Sequence, residues 1–203
     1  MMTKEEYLAN PCKASSLPFW KTQTVIVPKN MKIIRDDLLD RKYQGDKQYF
    51  KLIHYLKDKK ITTLPNGFVV YEASTEEFAS HINQCYEEEH IEASELEEYK
   101  KHKVYNSNLW IALKDTSSNK IVATIIGEVD DQIKEGTIEW VQVSKEYRRK
   151  GLGTYLINSL LEKMRDKAHF VTVSGRIDNS SNPLKLYMSC GFENPVIWHI
   201  INE

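Results

Sequence analysis

The chain has few of the residues that mark secreted, zinc-binding or membrane proteins. Only three of its 203 residues are cysteines, and they lie far apart, at Cys12, Cys85 and Cys190. An odd number at such spacing argues against a disulfide framework and matches no zinc-ligand pattern. The longest apolar runs, such as 121–126, are too short to cross a bilayer, and the first residues lack the apolar core of a signal peptide. We therefore expect a soluble cytoplasmic protein that uses no metal.

The chain also lacks an excess of either charge. It has 28 lysines and arginines against 29 aspartates and glutamates, which gives a formal net charge of −1. This balance supplies no general attraction to nucleic acid or to an anionic membrane, and we expect neither as a partner. A chain of this size buries roughly 70% of its unfolded surface, so its core needs no disulfide or metal.

A basic, glycine-containing loop lies between a predicted strand and a predicted helix. Residues 137–143 are rich in β-branched and aromatic side chains, and apolar residues recur at helical spacing over 152–164. Between them, the run Arg148-Arg149-Lys150-Gly151-Leu152-Gly153 puts cations and side-chain-free backbone where a new helix has unpaired N–H groups. Such a cradle suits a pyrophosphate. A helix start with solvated charges is the alternative explanation.

Two common phosphate motifs are absent from this loop, since no Gly-Lys-Ser/Thr is present and the third glycine of a dinucleotide fingerprint is missing. What remains, Arg148-x-x-Gly151-x-Gly153 directly after a strand that ends Val141-Gln142-Val143, resembles the acetyl-CoA signature of the GNAT acyltransferase superfamily.

A second stretch, 182–192, carries the same resemblance. It begins with a helix-starting Asn182-Pro183 pair, and Tyr187 precedes a Gly-Phe pair by four residues, as in the later helix of the GNAT superfamily. The two signatures lie in the family's order, with a predicted strand near 169–173 between them. Together they make a stronger case than either one alone.

The resemblance implies an α/β (α+β) fold, with a mixed, mostly antiparallel central sheet that is splayed at the cofactor site and has helices on both faces. We divide the chain into an N-terminal extension of short elements, residues 1–66, and a GNAT domain, residues 67–203. Within the extension, the pattern over 22–27 predicts a strand, and the apolar spacing over 49–56 predicts a helix. The segment 196–201 is expected to close the sheet.

The resemblance also implies a set of residues that hold acetyl-CoA. The backbone N–H groups from Arg149 to Thr154 would bind the pyrophosphate, with Arg148 or Lys150 as charge partners, and main-chain groups of 141–143 would hold the acyl carbonyl. Asn179 lies in a loop where relatives place a CoA-contacting asparagine. The expected cofactor-binding residues are Val141, Gln142, Val143, Arg148, Arg149, Lys150, Gly151, Leu152, Gly153, Thr154 and Asn179.

Two residues are candidates for proton transfer. Tyr187 matches the family's tyrosine and would act as the general acid toward the leaving thiolate, although a helix aromatic packed on the sheet is the alternative. Glu139 lies two residues before Val141, so the strand period predicts that both face the same side, where the carboxylate would act as the base. An exposed strand glutamate is the alternative there, and His102 and His169 are weaker candidates.

The function implied is an N-acetyltransferase that moves an acetyl group from acetyl-CoA to a primary amine by direct attack in a ternary complex. The alternative is a non-catalytic CoA-binding sensor or interaction module. The acceptor would be a small-molecule or peptide amine, and the acidic stretch 87–98 would attract a cationic one, unless it is simply a solvated face. The sequence leaves open whether residues 1–66 shape the acceptor pocket, form a homodimer interface or shield a sheet edge.

Overall fold

The computed structural model describes residues 2–39, 47–58, 62–86 and 88–202. Its β-strands are Met31–Arg35 (β1), Lys47–His54 (β2), Phe68–Tyr71 (β3), Trp110–Asp115 (β4), Ile121–Asp130 (β5), Glu135–Val143 (β6), Phe170–Arg176 (β7) and Glu193–Asn202 (β8). Its α-helices are Lys4–Ala9 (α1), Pro11–Ala14 (α2), Phe19–Thr24 (α3), Thr75–Cys85 (α4), Ala93–Tyr99 (α5), Leu152–Met164 (α6) and Pro183–Ser189 (α7).

All eight strands belong to one sheet, in the order β1-β8-β2-β7-β6-β5-β4-β3. Every neighbouring pair is antiparallel except β6 with β7, which is parallel and is connected through the crossover helix α6. Helices cover both faces, because Ile125 packs into a cluster with α6 whereas the next residue, Ile126, packs into a second cluster with α4 and α5. The expected fold class is confirmed.

The N-terminal extension contributes to the centre of this sheet. Strand β2 lies between β7 and β8 and is antiparallel to both, so the predicted helix over 49–56 is wrong. Phe50 and Leu52 are buried on the face that carries α6, whereas Lys51 and Ile53 are buried on the opposite face. A strand that is buried on both faces has no clean two-residue alternation, and its apolar run is easily taken for a helix.

Two other expected strands differ from the structure. Residues 22–27 were predicted to form a strand, but the first of them instead belong to helix α3, which ends at Thr24. The last strand, β8, is longer than the expected 196–201 and does not close the sheet, because β1 pairs along its outer side. We call residues 3–24, which carry α1 to α3, the N-terminal arm. The arm packs on the sheet through Tyr7, Cys12 and Phe19.

Strands β6 and β7 diverge, and this opens the sheet. They pair only where residues 135–138 of β6 meet residues 170–173 of β7. Beyond that point, residues 140–143 pair with β5 on one side, and residues 174–176 pair with β2 on the other. In the described part of the chain, no strand lies between these two segments. We call the space between them the gap, and it is the splay that the resemblance implies.

Candidate functional site

A loop with left-handed backbone at two positions leads into helix α6. Arg149 has φ of 64° and Gly151 has φ of 81°, and Gly151 is the N-cap of the helix. No side chain caps this end. The N–H groups of the first helical residues, from Leu152 to Thr154, therefore have no acceptor within the helix and lie at the positive end of its dipole. Together with the nearby cations of Arg148 and Lys150, this end of α6 can bind a phosphate or pyrophosphate.

The two glycines of the loop serve different purposes. At Gly151 an added Cβ would meet only the Pro65 side chain, at an ordinary 3.7 Å, so the left-handed backbone is what requires glycine. At Gly153 an added Cβ would lie 3.1 Å from Leu186 Cδ2 on α7, and glycine permits the close approach of α6 to α7.

The free edge of β6 lies along the gap. The N–H of Ser144 donates to the carbonyl of Val122 on β5 at 2.9 Å, so by strand alternation Gln142 also turns its backbone toward β5. Val141 and Val143 therefore turn their N–H and C=O groups into the gap. The side chain of Gln142 donates to Thr124 instead of lying in the gap.

Two side chains already bind the gap-facing carbonyls. The Tyr86 hydroxyl donates to the Val141 carbonyl at 3.1 Å, and Arg148 Nε donates to the Val143 carbonyl at 3.1 Å. Arg148 thus links the basic loop before α6 to the open edge of β6. Tyr86 had not been singled out from the sequence, and its place just after α4 gives no signal there.

Tyr187 approaches the gap from the face of the sheet opposite Tyr86. It is buried on α7, with the rings of Phe50 and Phe192 edge-on at 6.1 Å and 5.6 Å. Burial, and then the neighbouring Tyr86, raise the pKa of Tyr187 above its ordinary value, so the phenol holds its proton at neutral pH. Among the described residues its hydroxyl has no hydrogen-bond partner, so its proton is not committed to another group of the chain.

The strand period predicts that Glu139 and Val141 face the same side of the sheet, but in the structure they lie on opposite faces. Ile126 pairs with Trp140 and Gly127 pairs with Ile138, so Glu139 is the extra residue of a β-bulge. Because of the bulge, Ile138 and Val141 both pack in the cluster with α6, and Glu139 lies on the other face. There it forms an ion pair with Lys21 of the N-terminal arm.

A second carboxyl lies beside Glu139. Glu128 on β5 is only 2% exposed and accepts a hydrogen bond of 3.0 Å from the indole N–H of Trp20. Burial, followed by the negative charge of Glu139, raises the pKa of Glu128 to about 8. Sequence reasoning missed this residue, although a glutamate inside the otherwise apolar run of β5 is an unusual feature that could have indicated it.

The remaining candidates lie away from the gap or serve their own segments. Asn179 Oδ1 accepts from the backbone N–H and the hydroxyl of Ser181, at 2.9 Å and 2.7 Å, and so shapes its own loop. In the acidic stretch, Glu87 lies outside the described residues, and several of the other acids form pairs: Glu88 with Arg176, Glu92 with His90, Glu97 with Lys100 and Glu98 with Lys101. Their charge is therefore partly compensated.

Neither a metal site nor a membrane-spanning element is found in the part of the chain that the structure describes. No group of three or more His, Cys, Asp or Glu side chains there could hold a metal ion. Among the described helices, none combines the length and the apolar character needed to cross a bilayer.

Solved structures with similar folds have low sequence identity to this chain. A GCN5-related N-acetyltransferase from Sphaerobacter thermophilus superposes with a TM-score of 0.63 at 16% identity, covering 77% of this chain and 51% of its own. This chain thus spans about half the length of that protein. Ard1 from Thermoplasma volcanium superposes with a TM-score of 0.53 at 19% identity, and the match covers 68% of this chain and 99% of that chain. The NatC complex bound to Gag peptide and CoA also gives a TM-score of 0.53, at 17% identity, and the match covers 67% of this chain and 98% of that chain.

Curated protein sequences give no significant match. The profile of the acetyltransferase (GNAT) family matches residues 72–192, which include the basic loop before α6, both sides of the gap and helix α7. The general reaction of this family is acetyl-CoA-dependent N-acetylation. The chain therefore belongs to the GNAT acetyltransferase family.

Proposed function

We propose that the protein is an N-acetyltransferase that binds acetyl-CoA and a primary amine together and transfers the acetyl group by direct attack of the amine. The observation that carries this proposal is the gap beside β6, with the uncapped start of α6 next to it. A small-molecule or peptide amine is the acceptor. We place the reaction in the cytoplasm, which suits a chain whose three cysteines form no disulfide.

The residues around the gap fit the three parts of the cofactor. The N–H groups at the start of α6 and the cations of Arg148 and Lys150 hold the pyrophosphate. The backbone of Val141 and Val143 pairs with the extended pantetheine arm as an added strand would, and one of these N–H groups faces the acyl oxygen. Acetyl-CoA, when bound, supplies an acetyl group activated as a thioester.

Tyr187 and Glu139 divide the proton transfers between the two faces of the sheet. Tyr187 keeps its proton at neutral pH because its pKa is raised, and it donates that proton to the departing thiolate. Glu139 lies on the opposite face and takes the proton of the amine, directly or through water. Support for this division comes from the positions of the two side chains, one from α7 and one from the bulge of β6.

The test measures thiol release from acetyl-CoA with a panel of primary amines, together with the heat of acetyl-CoA binding. The proposal predicts saturable binding and amine-dependent thiol release. Binding without turnover on any amine would instead identify a CoA-binding module, and the absence of binding would reject both functions. Tyr55→Phe, which changes a tyrosine that is 41% exposed, is the control for the tyrosine variants.

A further inference from the structure

The N-terminal arm is fixed to the sheet by a buried polar cluster. Lys51 Nζ on β2 donates to the Tyr7 hydroxyl at 2.9 Å and to the carbonyls of Ser15 and Leu17 at 3.0 Å and 2.8 Å. Glu135 on β6 accepts from the Tyr7 hydroxyl at 2.6 Å and from the backbone N–H of Phe19 at 2.9 Å. Removing either charge would leave its buried partner uncompensated, so the arm is a built part of the fold rather than a loose segment.

This attachment carries the next two residues of the arm to the carboxyl pair. Trp20 donates its indole N–H to Glu128 and packs on the ring of His102 at 4.9 Å between centroids. Lys21 forms the ion pair with Glu139, and its ammonium lies 5.4 Å from the centre of the Trp20 ring. The arm therefore contacts both acidic side chains beside the bulge of β6.

The face on which these contacts lie is the one left to the acceptor. The phosphate-binding start of α6 and the acid Tyr187 lie on the other face, where the cofactor would enter the gap. An amine must reach the same carbonyl without passing the cofactor, and so it approaches from the face of Glu139 and Trp140. Helices α4 and α5 border that face, and the arm lies next to them.

We propose that the N-terminal arm completes the acceptor side of the transferase site, with Lys21 as the positioning residue that holds the Glu139 carboxylate on the face from which the amine approaches. This inference rests on the proposed function of the same site. The sequence left open whether residues 1–66 shape the acceptor pocket, and the contacts of Lys21 favour that role.

Among the described residues, the ammonium of Lys21 has few other charges of its sign near Glu139. The titratable groups that face it are Lys21 from α3, Glu128 from β5, and Tyr99 and His102 from α5 and the turn after it. Of these, only Lys21 is a fixed cation near neutral pH. Burial and then the charge of Glu139 raise the pKa of Glu128, whereas Lys21 lowers it, so the pKa of Glu128 would rise further without this ammonium.

The experiment compares Lys21→Met with Lys21→Arg and with a control, Lys4→Met. Lys4 lies in the same arm, but its ammonium binds the carbonyl of Gln132 at 2.8 Å. For Lys21→Met, the acid limb of the kcat/KM profile for the amine should move up by about one pH unit, the low end of what a neighbouring unit charge does. Below that limb kcat/KM should fall roughly tenfold, since one pKa unit is a tenfold change in ionised fraction.

The KM for acetyl-CoA should not change, Lys21→Arg should restore the profile, and Lys4→Met should match the native protein. If Lys21→Met does not fold, Lys21→Gln replaces it, because it removes the charge while keeping a hydrogen-bond donor. An unshifted pH profile in a folded, active variant without the lysine charge overturns the inference and leaves the proposed function intact.

A second readout requires no activity. Glutamate carboxyl groups labelled with carbon-13 can be titrated by NMR, and the buried Glu128 signal should titrate at higher pH in Lys21→Met than in Lys4→Met. Identical titrations overturn the inference. A native protein that transfers no acetyl group overturns the proposed function instead, and the carboxyl titrations still report whether Lys21 controls the pair.

Discussion

The hydroxyl of Tyr86 donates a hydrogen bond of 3.1 Å to the carbonyl oxygen of Val141, which points into the gap between β6 and β7. Arg148 binds the next gap-facing carbonyl, that of Val143, in the same way. An unpaired strand edge is a template for another chain, and these two side chains protect it. A ligand that pairs with β6 as an added strand must therefore take the place of both.

Replacing Tyr86 by phenylalanine tests this competition. Tyr86→Phe removes a hydrogen bond that exists only before the ligand pairs with Val141, so CoA should bind more tightly, by roughly threefold to tenfold for a net contribution of about 1 kcal/mol. Adenosine 3′,5′-bisphosphate, which lacks the pantetheine arm, should bind equally well to both proteins. Calorimetric titration with each ligand makes the comparison. Equal CoA affinities would show that the Val141 carbonyl is not a pairing site.

Tyr187→Phe separates catalysis from binding. The phenol donates a proton only in the reaction and has no hydrogen-bond partner in the described part of the chain, so we expect kcat to fall by at least about 100-fold, as for loss of a general acid. The affinity for acetyl-CoA and the melting temperature should stay near those of the native protein. Steady-state thiol release and a thermal melt provide the two measurements, and Tyr55→Phe should behave as native. Undiminished turnover in Tyr187→Phe would show that Tyr187 is not the general acid.

Gly151→Val tests the left-handed N-cap of α6. A β-branched residue there would be strained by about 1–3 kcal/mol or would shift the loop, and either change disturbs the N–H groups proposed to bind the pyrophosphate. Gly67→Val is the matched control, because Gly67 also has a left-handed backbone, with φ of 86°, and open space around its Cβ position. Both variants should lose stability, whereas only Gly151→Val should lose CoA affinity. Similar CoA affinities in the two variants would contradict the proposal that the start of α6 binds the pyrophosphate.

Glu128→Gln tests, through the pH dependence of stability, whether burial and the nearby Glu139 raise the pKa of Glu128. Because the pKa of Glu128 is raised to about 8 in the folded protein, its ionisation opposes folding, and this cost grows as pH rises from the ordinary value near 4.5 through about 8. The glutamine can still accept the bond from Trp20. We therefore expect Glu128→Gln to raise the melting temperature more at pH 8 than at pH 5. An exposed-site control, Glu95→Gln, should show no such trend.

The parts of the site that lie within one continuous motif could be predicted from the sequence. The order strand, basic loop and helix was predicted for the residues from Val141 to Thr154, because such elements are set by neighbours in the chain, and the structure has this order. The second signature placed Tyr187 on a short helix, and the structure has that helix. In both stretches the residues that were singled out are close together in the sequence, so their arrangement depends little on contacts with distant segments.

The parts that depend on long-range packing could not be predicted. The bulge at Glu139 is a property of the register between β5 and β6, and it reversed the face expected from simple alternation. Lys21 and Glu139 are 118 residues apart, and nothing in either segment signals the contact. The helix expected over 49–56 was wrong for the related reason that β2 is buried on both faces, where apolar periodicity loses its meaning.

The central claim is that the uncapped start of α6 and the free edge of β6 together bind coenzyme A. Calorimetric titration of the native protein with CoA tests it most directly, with Gly151→Val and Gly67→Val titrated in parallel. The account predicts saturable binding of one CoA per chain, weakened in Gly151→Val and retained in Gly67→Val. No heat of binding in the native protein, or equal binding by all three proteins, would contradict it.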